Sequence, residues 1–306
     1  MGSPLRLQVV PDAATGVVEA AWAAVVDEFE ATEQALSRFR ATSEVHRLRL
    51  AGGRSTAPSR RLVAALAAAD RARRVTEGRF EVRVLQDLER LGSMPLAIPA
   101  GMSEPGNRPD PAAPILRGTG RRGAIEVPVA VDFGGIGKGL ALRWAARRAA
   151  RVLDGRPFLI EAGGDLVGGG RPGPHGWRIG VENPRATTDA GERPAVVVEL
   201  RPSGGAIATS SLRRARWLSP DGQAVHHLID PRTGEPGGDG LLAVTVAGPD
   251  PAWAEVWSKS LFLEGRRAIA DLARARGLAA WWVTEDGAVE MTPGARLMTL
   301  WVAAED

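Results

Sequence analysis

The chain has 306 residues, 39 of them Lys or Arg against 36 acidic, a formal charge of +3, and neither cysteine nor tyrosine. That length carries one large domain or two modest ones, with a real core. Without cysteine there is no disulfide, thiolate metal site or cysteine nucleophile, and with acids and bases interspersed no basic tract points to nucleic acid.

Along the chain, "LRLQVV" (5–10) alternates and predicts a strand. The start "MGSPLRLQVV" has no basic region followed by an apolar stretch, and no apolar run reaches the roughly 18 residues of a membrane span. The expectation is a cytoplasmic protein, with an exported or membrane-associated form left open. Apolar residues at three- and four-residue spacing predict helices over 16–40 and 57–78, the second with Ser59 as N-cap and Gly78 as stop. Residues 93–122 are rich in Pro, Gly and Ser and read as an irregular loop. "AIEVPVAVDFGG" (124–135) reads as strand, turn, strand, and a helix follows over 138–153. Strands are expected within 157–170, 177–183, 194–202, 206–211, 214–220, 224–231 and 241–248, then helices over 251–265 and 266–277, then two closing strands. Runs of strands broken by grouped helices predict an α+β fold.

Lysine occurs only at Lys138 and Lys259; every other basic residue is arginine. In "VDFGGIGKGLALRW" (131–144), Gly134, Gly135, Gly137 and Gly139 read as a turn letting backbone approach a ligand with positive φ. The following helix offers free N–H groups, and Lys138 adds a cation there, a combination suited to phosphate. It is not a Walker A loop: Asp132 and Gly139 stand where that motif needs Gly and Ser or Thr. The plain alternative is a glycine turn packing helix against strand. "EAGGDLVGGG" (161–170) gives a second glycine turn, carrying Asp165, and "HHLIDPRTGEP" (226–236) packs His227, Asp230, Arg232 and Thr233 into a third. "ATSS" (208–211) offers hydroxyls at a strand end, or a cap.

Taken together, "LSRFRATSEVHRL" (36–48), "GRFEV" (78–82), "VDFGGIGKG", "EAGGDLVGGG", "AIATSS" (206–211), "HHLIDPRTGEP" and "AEVWSKSLF" (254–262) occur in the order of the ApbE family, the FAD:protein FMN transferases. The chain resembles that family over nearly its whole length. The resemblance implies a two-part α+β architecture, related to the T-fold, with antiparallel sheets flanked by helices, an FAD cleft, and one such domain over 1–306. It implies cleavage of FAD at the pyrophosphate, transfer of FMN to a Thr or Ser hydroxyl of an acceptor flavoprotein, and release of AMP, with Mg2+ bridging the pyrophosphate. Carried over residue by residue, it gives His227, Lys138 and Asp230 catalytic roles, with His227 oriented by Asp230 and acting as general base or transient FMN carrier. Contacts to FAD fall on Gly134, Gly135, Gly137, Lys138, Gly163, Gly164, Asp165, Ser210, Arg232, Thr233 and Lys259. The metal positions fall on the Gly137 carbonyl, on Glu255 and on Lys259.

The sequence departs from the family pattern at that metal. Glu255 replaces Asp, and Lys259 replaces the Thr ligand. Magnesium takes hard oxygen ligands, and a protonated amine has no lone pair to give. The expectation is that the Lys259 ammonium occupies the metal position and, with Lys138, neutralises the pyrophosphate directly. The plain alternative is a helix-surface Glu–Lys pair at i, i+4. Further departures are Leu140 for an aromatic, Arg143 for Asp, "FEVR" (80–83) for F-D-P-T, Arg49 for Asn, Glu161 for Asn, and the missing M-G-T start. Two readings stay in view beside each other, an active transferase and a catalytically impaired, metal-independent FAD-binding protein of the same family. A third is another nucleotide-pyrophosphate enzyme on this fold.

Overall fold

Elements form largely where apolar periodicity placed them. A computed structural model describes residues 4–10, 14–93, 110, 112–117, 123–185, 193–201, 203–213 and 215–303, so most of the 93–122 loop lies outside the described residues. In chain order come β1 (Leu5–Val9), α1 (Thr15–Leu36), α2 (Glu44–Leu50), β2 (Arg54–Ser55), α3 (Arg60–Val75), α4 (Leu85–Arg90) and β3 (Ile125–Glu126). Then follow α5 (Gly137–Leu153), β4 (Phe158–Ala162), β5 (Asp165–Gly169), β6 (Arg178–Val181), β7 (Val196–Glu199), β8 (Gly204–Ser211), β9 (Arg216–Leu218) and β10 (Ala224–His226). The last are β11 (Leu241–Gly248), α6 (Pro251–Phe262), α7 (Ile269–Ala275), β12 (Ala279–Thr284), β13 (Val289–Met291), α8 (Pro293–Arg296) and β14 (Thr299–Val302).

Local chemistry explains the boundaries. Ser59 Oγ accepts the Leu62 N–H and starts α3, and Gly78, at φ +82, closes its end by donating to the Arg73 carbonyl. Asp250 caps α6 through the N–H groups of Ala252 and Trp253, with Pro251 opening the helix. Two expectations need correction. The helix expected to Arg40 ends at Leu36, and Arg40 folds back to pair with Glu30. The second strand expected in 124–135 does not form; Asp132 N–H goes to the Val82 carbonyl, and the chain winds directly into α5. The short helices α2, α4 and α8 and strand β13 carry too few residues to show a period.

The described residues group into two compact units. One comprises residues 30–137 and 215–236, the other 2–29, 138–214 and 237–306, apart from Met1. The second unit holds a seven-stranded sheet in the order β1-β4-β5-β8-β11-β12-β13, every neighbouring pair antiparallel. It also holds an antiparallel three-stranded sheet, β14-β7-β6. The period of two divides its core. The paired residues Leu166 and Ile207 join the cluster with β6, β7 and α8, while their neighbours Val167 and Ala206 join the cluster with α1 and α5. Trp281 is fully buried in the first of these clusters and donates its indole N–H to Thr299 Oγ1 at 2.9 Å, tying the larger sheet to the smaller.

The first unit carries α2, α3, α4, the β2–β3 and β9–β10 pairs, and a core in which Val84, Leu88 and Leu91 meet Val225 and Ile229. Buried or nearly buried ion pairs brace it. Arg83 lies on Glu81 at 2.6 Å, and Arg49 grips both oxygens of Glu89 at 2.5 and 2.7 Å. No helix among the described residues is long and apolar enough to cross a membrane.

Replacing Trp281 by Ala should cost about 3–5 kcal/mol of stability through the volume it empties. W281F, which keeps a ring but loses the bond to Thr299, should cost about 1 kcal/mol. Chemical denaturation checks both as falls in midpoint at unchanged slope.

Candidate functional site

The motif over 131–139 is a turn that becomes a helix. Asp132 Oδ1 accepts the Gly134 N–H at 3.1 Å, and the Phe133 carbonyl accepts from Ile136 and Gly137, at 3.1 and 2.7 Å. The expected positive φ is absent: none of Gly134, Gly135, Gly137 and Gly139 adopts it. Gly139 is small for another reason. A Cβ there would lie 2.5 Å from Ala252 Cα and from the Pro251 carbonyl oxygen, so the residue lets the start of α5 touch the start of α6. The left-handed glycines are Gly163 and Gly164, at φ +61 and +94, which form the two-residue turn between β4 and β5.

That turn delivers Asp165 to Lys138. The Lys138 ammonium bonds Asp165 Oδ2 on one side and Glu255 Oε1, from α6, at 3.1 Å on the other. The second oxygen of each acid is also used. Asp165 Oδ1 accepts the Thr209 N–H at 2.9 Å, just past the last β5–β8 ladder pair, and Glu255 Oε2 accepts the Gly139 N–H at 2.7 Å. The latter is one of the orphan donors of a helix N-terminus, satisfied by a negative group that also suits the helix dipole. Thr209 and Gly139 as donors escaped the sequence reading, because a backbone N–H leaves no signature in residue type.

Burial sets the charge states. Desolvation alone would push the Lys138 ammonium down, but the charges of Asp165 and Glu255, with the bonds they accept, outweigh it and hold its pKa above the ordinary lysine range. Burial raises the Glu255 carboxyl, which Lys138 and the Gly139 N–H oppose. Glu255 and Lys259 are 4% and 6% exposed, which corrects the alternative of a helix-surface pair. Ser210 Oγ lies 2.9 Å from Ser258 Oγ, and Ser258 donates to the Glu255 carbonyl, so the "ATSS" strand is fastened to α6 beside the acid.

Leu140 is buried, and Arg143 pairs with Asp250, the cap of α6. The start of α5 is therefore bound to α6 through Gly139, Glu255 and Arg143 together.

The turn 226–236 belongs to the other unit. The Asp230 carbonyl accepts from Thr233 and Gly234, and its N–H donates to Glu235. Both carboxylate oxygens of Asp230 accept from Arg232, one also taking the Arg232 backbone N–H. This side chain, expected to orient His227, is thus directed onto Arg232. Its neighbour His226 is pushed down to about 4, by burial first and then by Arg216, and its Nδ1 accepts the Leu228 N–H at 3.2 Å.

The donors expected for magnesium do not form a set that fits the ion. Glu255 spends both oxygens on Lys138 and Gly139, and Lys259 contributes an ammonium where an oxygen is needed. Among the described residues no group of three or more His, Asp or Glu side chains is placed to hold a metal ion.

A sequence model of the ApbE family matches residues 1–282. Among curated proteins, the FAD:protein FMN transferase of Escherichia coli K12 is 31% identical over 161 residues, 51% of this chain and 43% of that protein. The one from Treponema pallidum is 28% identical over 177 residues, 54% of this chain and 46% of that one. The chain thus spans less than half the length of these curated relatives. Among solved structures, the ApbE protein from Thermotoga maritima aligns with a TM-score of 0.80 at 24% identity, over 97% of this chain and 96% of that chain. The Pseudomonas stutzeri flavinyl transferase ApbE aligns with a TM-score of 0.75 at 23% identity, over 98% of each. At such identities the likeness is one of fold, and it agrees with helices flanking antiparallel sheets.

The composition makes Lys138 open to an alkaline titration. With no tyrosine or cysteine and two lysines, little else ionises between the histidines and the arginines. A raised folded pKa contributes stability below the ordinary lysine value of 10.5 that is lost as pH rises through the folded pKa. Unfolding followed against pH should show stability falling above that value, with K138M flattening the fall.

Proposed function

The chain belongs to the ApbE family, and on that footing we propose that it is a flavin transferase with FAD as donor substrate. A Thr or Ser hydroxyl oxygen of an acceptor protein attacks the FMN phosphorus of FAD. The bond from that phosphorus to the bridging oxygen breaks, AMP leaves, and the hydroxyl proton passes to a base. Such transfer depends on positioning and on stabilising charge at non-bridging oxygens.

One observation carries the reading. A half-buried lysine, held charged by two acids, stands at the N-terminus of α5 directly after the "VDFGGIG" turn. A fixed ammonium beside helix N–H groups is suited to charge that develops on phosphate oxygens. Asp165 and Glu255 hold Lys138 in place, and the Gly163–Gly164 turn fixes Asp165. By the resemblance, His227 serves as general base or transient FMN carrier, and as base it receives the acceptor's proton, while Arg232 and Thr233 in its turn touch FAD.

The assay mixes the protein with FAD and an acceptor protein bearing the target hydroxyl. AMP release matched by flavin that survives denaturation on the acceptor is expected. K138A should slow transfer by about 10²-fold or more, the usual loss for a group stabilising transition-state charge. H227A should slow it comparably while leaving FAD bound. FAD that binds but stays intact would replace this reading with that of a family member that binds flavin without transferring it, which the lysine at position 259 favours.

A further inference from the structure

We propose that this chain manages the diphosphate of its flavin substrate without a divalent cation, using a clasp of its own in which Lys138 bonds Asp165 and Glu255, with Lys259 buried one turn beyond Glu255 on α6. The part concerning the diphosphate rests on the flavin-transfer reading. The part concerning the cation rests on the geometry alone.

The first argument is donor supply. A divalent cation needs several free oxygens, and magnesium demands them in near-octahedral array. Both Glu255 oxygens are engaged, Oε1 by the Lys138 ammonium and Oε2 by the Gly139 N–H at 2.7 Å. Asp165 is engaged at both oxygens as well, by Lys138 and by Thr209. Releasing either acid to a metal would strip a partner from the Lys138 ammonium, and releasing Glu255 would also strip one from a helix end.

The second argument is charge. Lys259 lies one turn beyond Glu255 on α6, on the same stripe of the helix, and is buried with it. Asp165 is buried too, and Lys138 is the cation set between the two acids. A dication added among them would crowd the Lys138 ammonium and leave positive charge uncompensated where little solvent reaches, a severe cost. A diphosphate arriving beside them meets the Lys138 ammonium already present.

The third argument is fit. Gly139 brings α5 against Ala252, and Arg143 pins α5 to the α6 cap at Asp250. The helices are therefore held at the separation at which the Glu255 side chain reaches both Lys138 and the Gly139 N–H.

The test has two arms that fail separately. In the first, manganese alone is titrated into the full chain and free Mn2+ is read by electron paramagnetic resonance. The expected signal equals that of buffer. Stoichiometric capture of Mn2+ that E255Q abolishes would overturn the inference, whereas capture that survives E255Q lies elsewhere and leaves it standing. In the second arm, FAD affinity is measured by flavin fluorescence in magnesium and in chelator. Agreement within about twofold is expected; a tenfold gain in magnesium, about 1.4 kcal/mol, would overturn it. Absence of FAD binding in both buffers would sink the flavin-transfer reading, and the manganese arm would still decide the cation claim. The doubly changed chain, E255D with K259T, should acquire Mn2+ capture. A folded double variant that captures none would refute the assignment of that exclusion to Lys259.

Discussion

The close contact of two helix starts governs this protein. α5 and α6 meet at Gly139 and Ala252, where even a methyl group would collide with backbone. At that contact the α6 acid Glu255 answers the α5 N-terminus and the Lys138 ammonium in one bidentate reach. Asp165 closes the arrangement from the sheet, and Ser210 fastens the sheet to α6 through Ser258. A buried charge is tolerable only when its partners are fixed, and here each partner is fixed by an independent element.

The same logic accounts for residues that look like losses when set against the family pattern. Arg143 is not a missing contact but the partner of the α6 cap. Arg49 grips Glu89 through two parallel bonds, and "FEVR" supplies an internal Glu81–Arg83 pair whose guanidinium also bonds the Ala113 carbonyl. Guanidinium suits these places because its planar fork can satisfy two acceptors at once. Ammonium is reserved for two positions, the half-buried 138 and the buried 259, where a compact charge fits.

For family members that hold a metal, an oxygen-rich site is the usual expectation; here the oxygens are spent inside the protein. The Glu255 side chain reaches the neighbouring helix, and Lys138 offsets its charge there.

Much was legible in the residues themselves. Alternation and three- or four-residue spacing give most strands and helices, Ser59 and Gly78 mark the ends of α3, and the ordered glycine turns and "HHLIDPRTGEP" give the family. Local signals travel in the chain because they arise from backbone conformation and from side chains a turn apart. Hidden were the pairing of Lys138 with Asp165 and Glu255, the real reason for Gly139, and the direction of Asp230 onto Arg232. The first two join residues from 27 to 117 positions apart, and such contacts depend on how sheet and helices pack, which residue type alone does not encode. The sequence by itself determined which charges the protein possesses and that lysine is scarce; only the tertiary structure decided which charges face one another, because burial and distance set electrostatic energy.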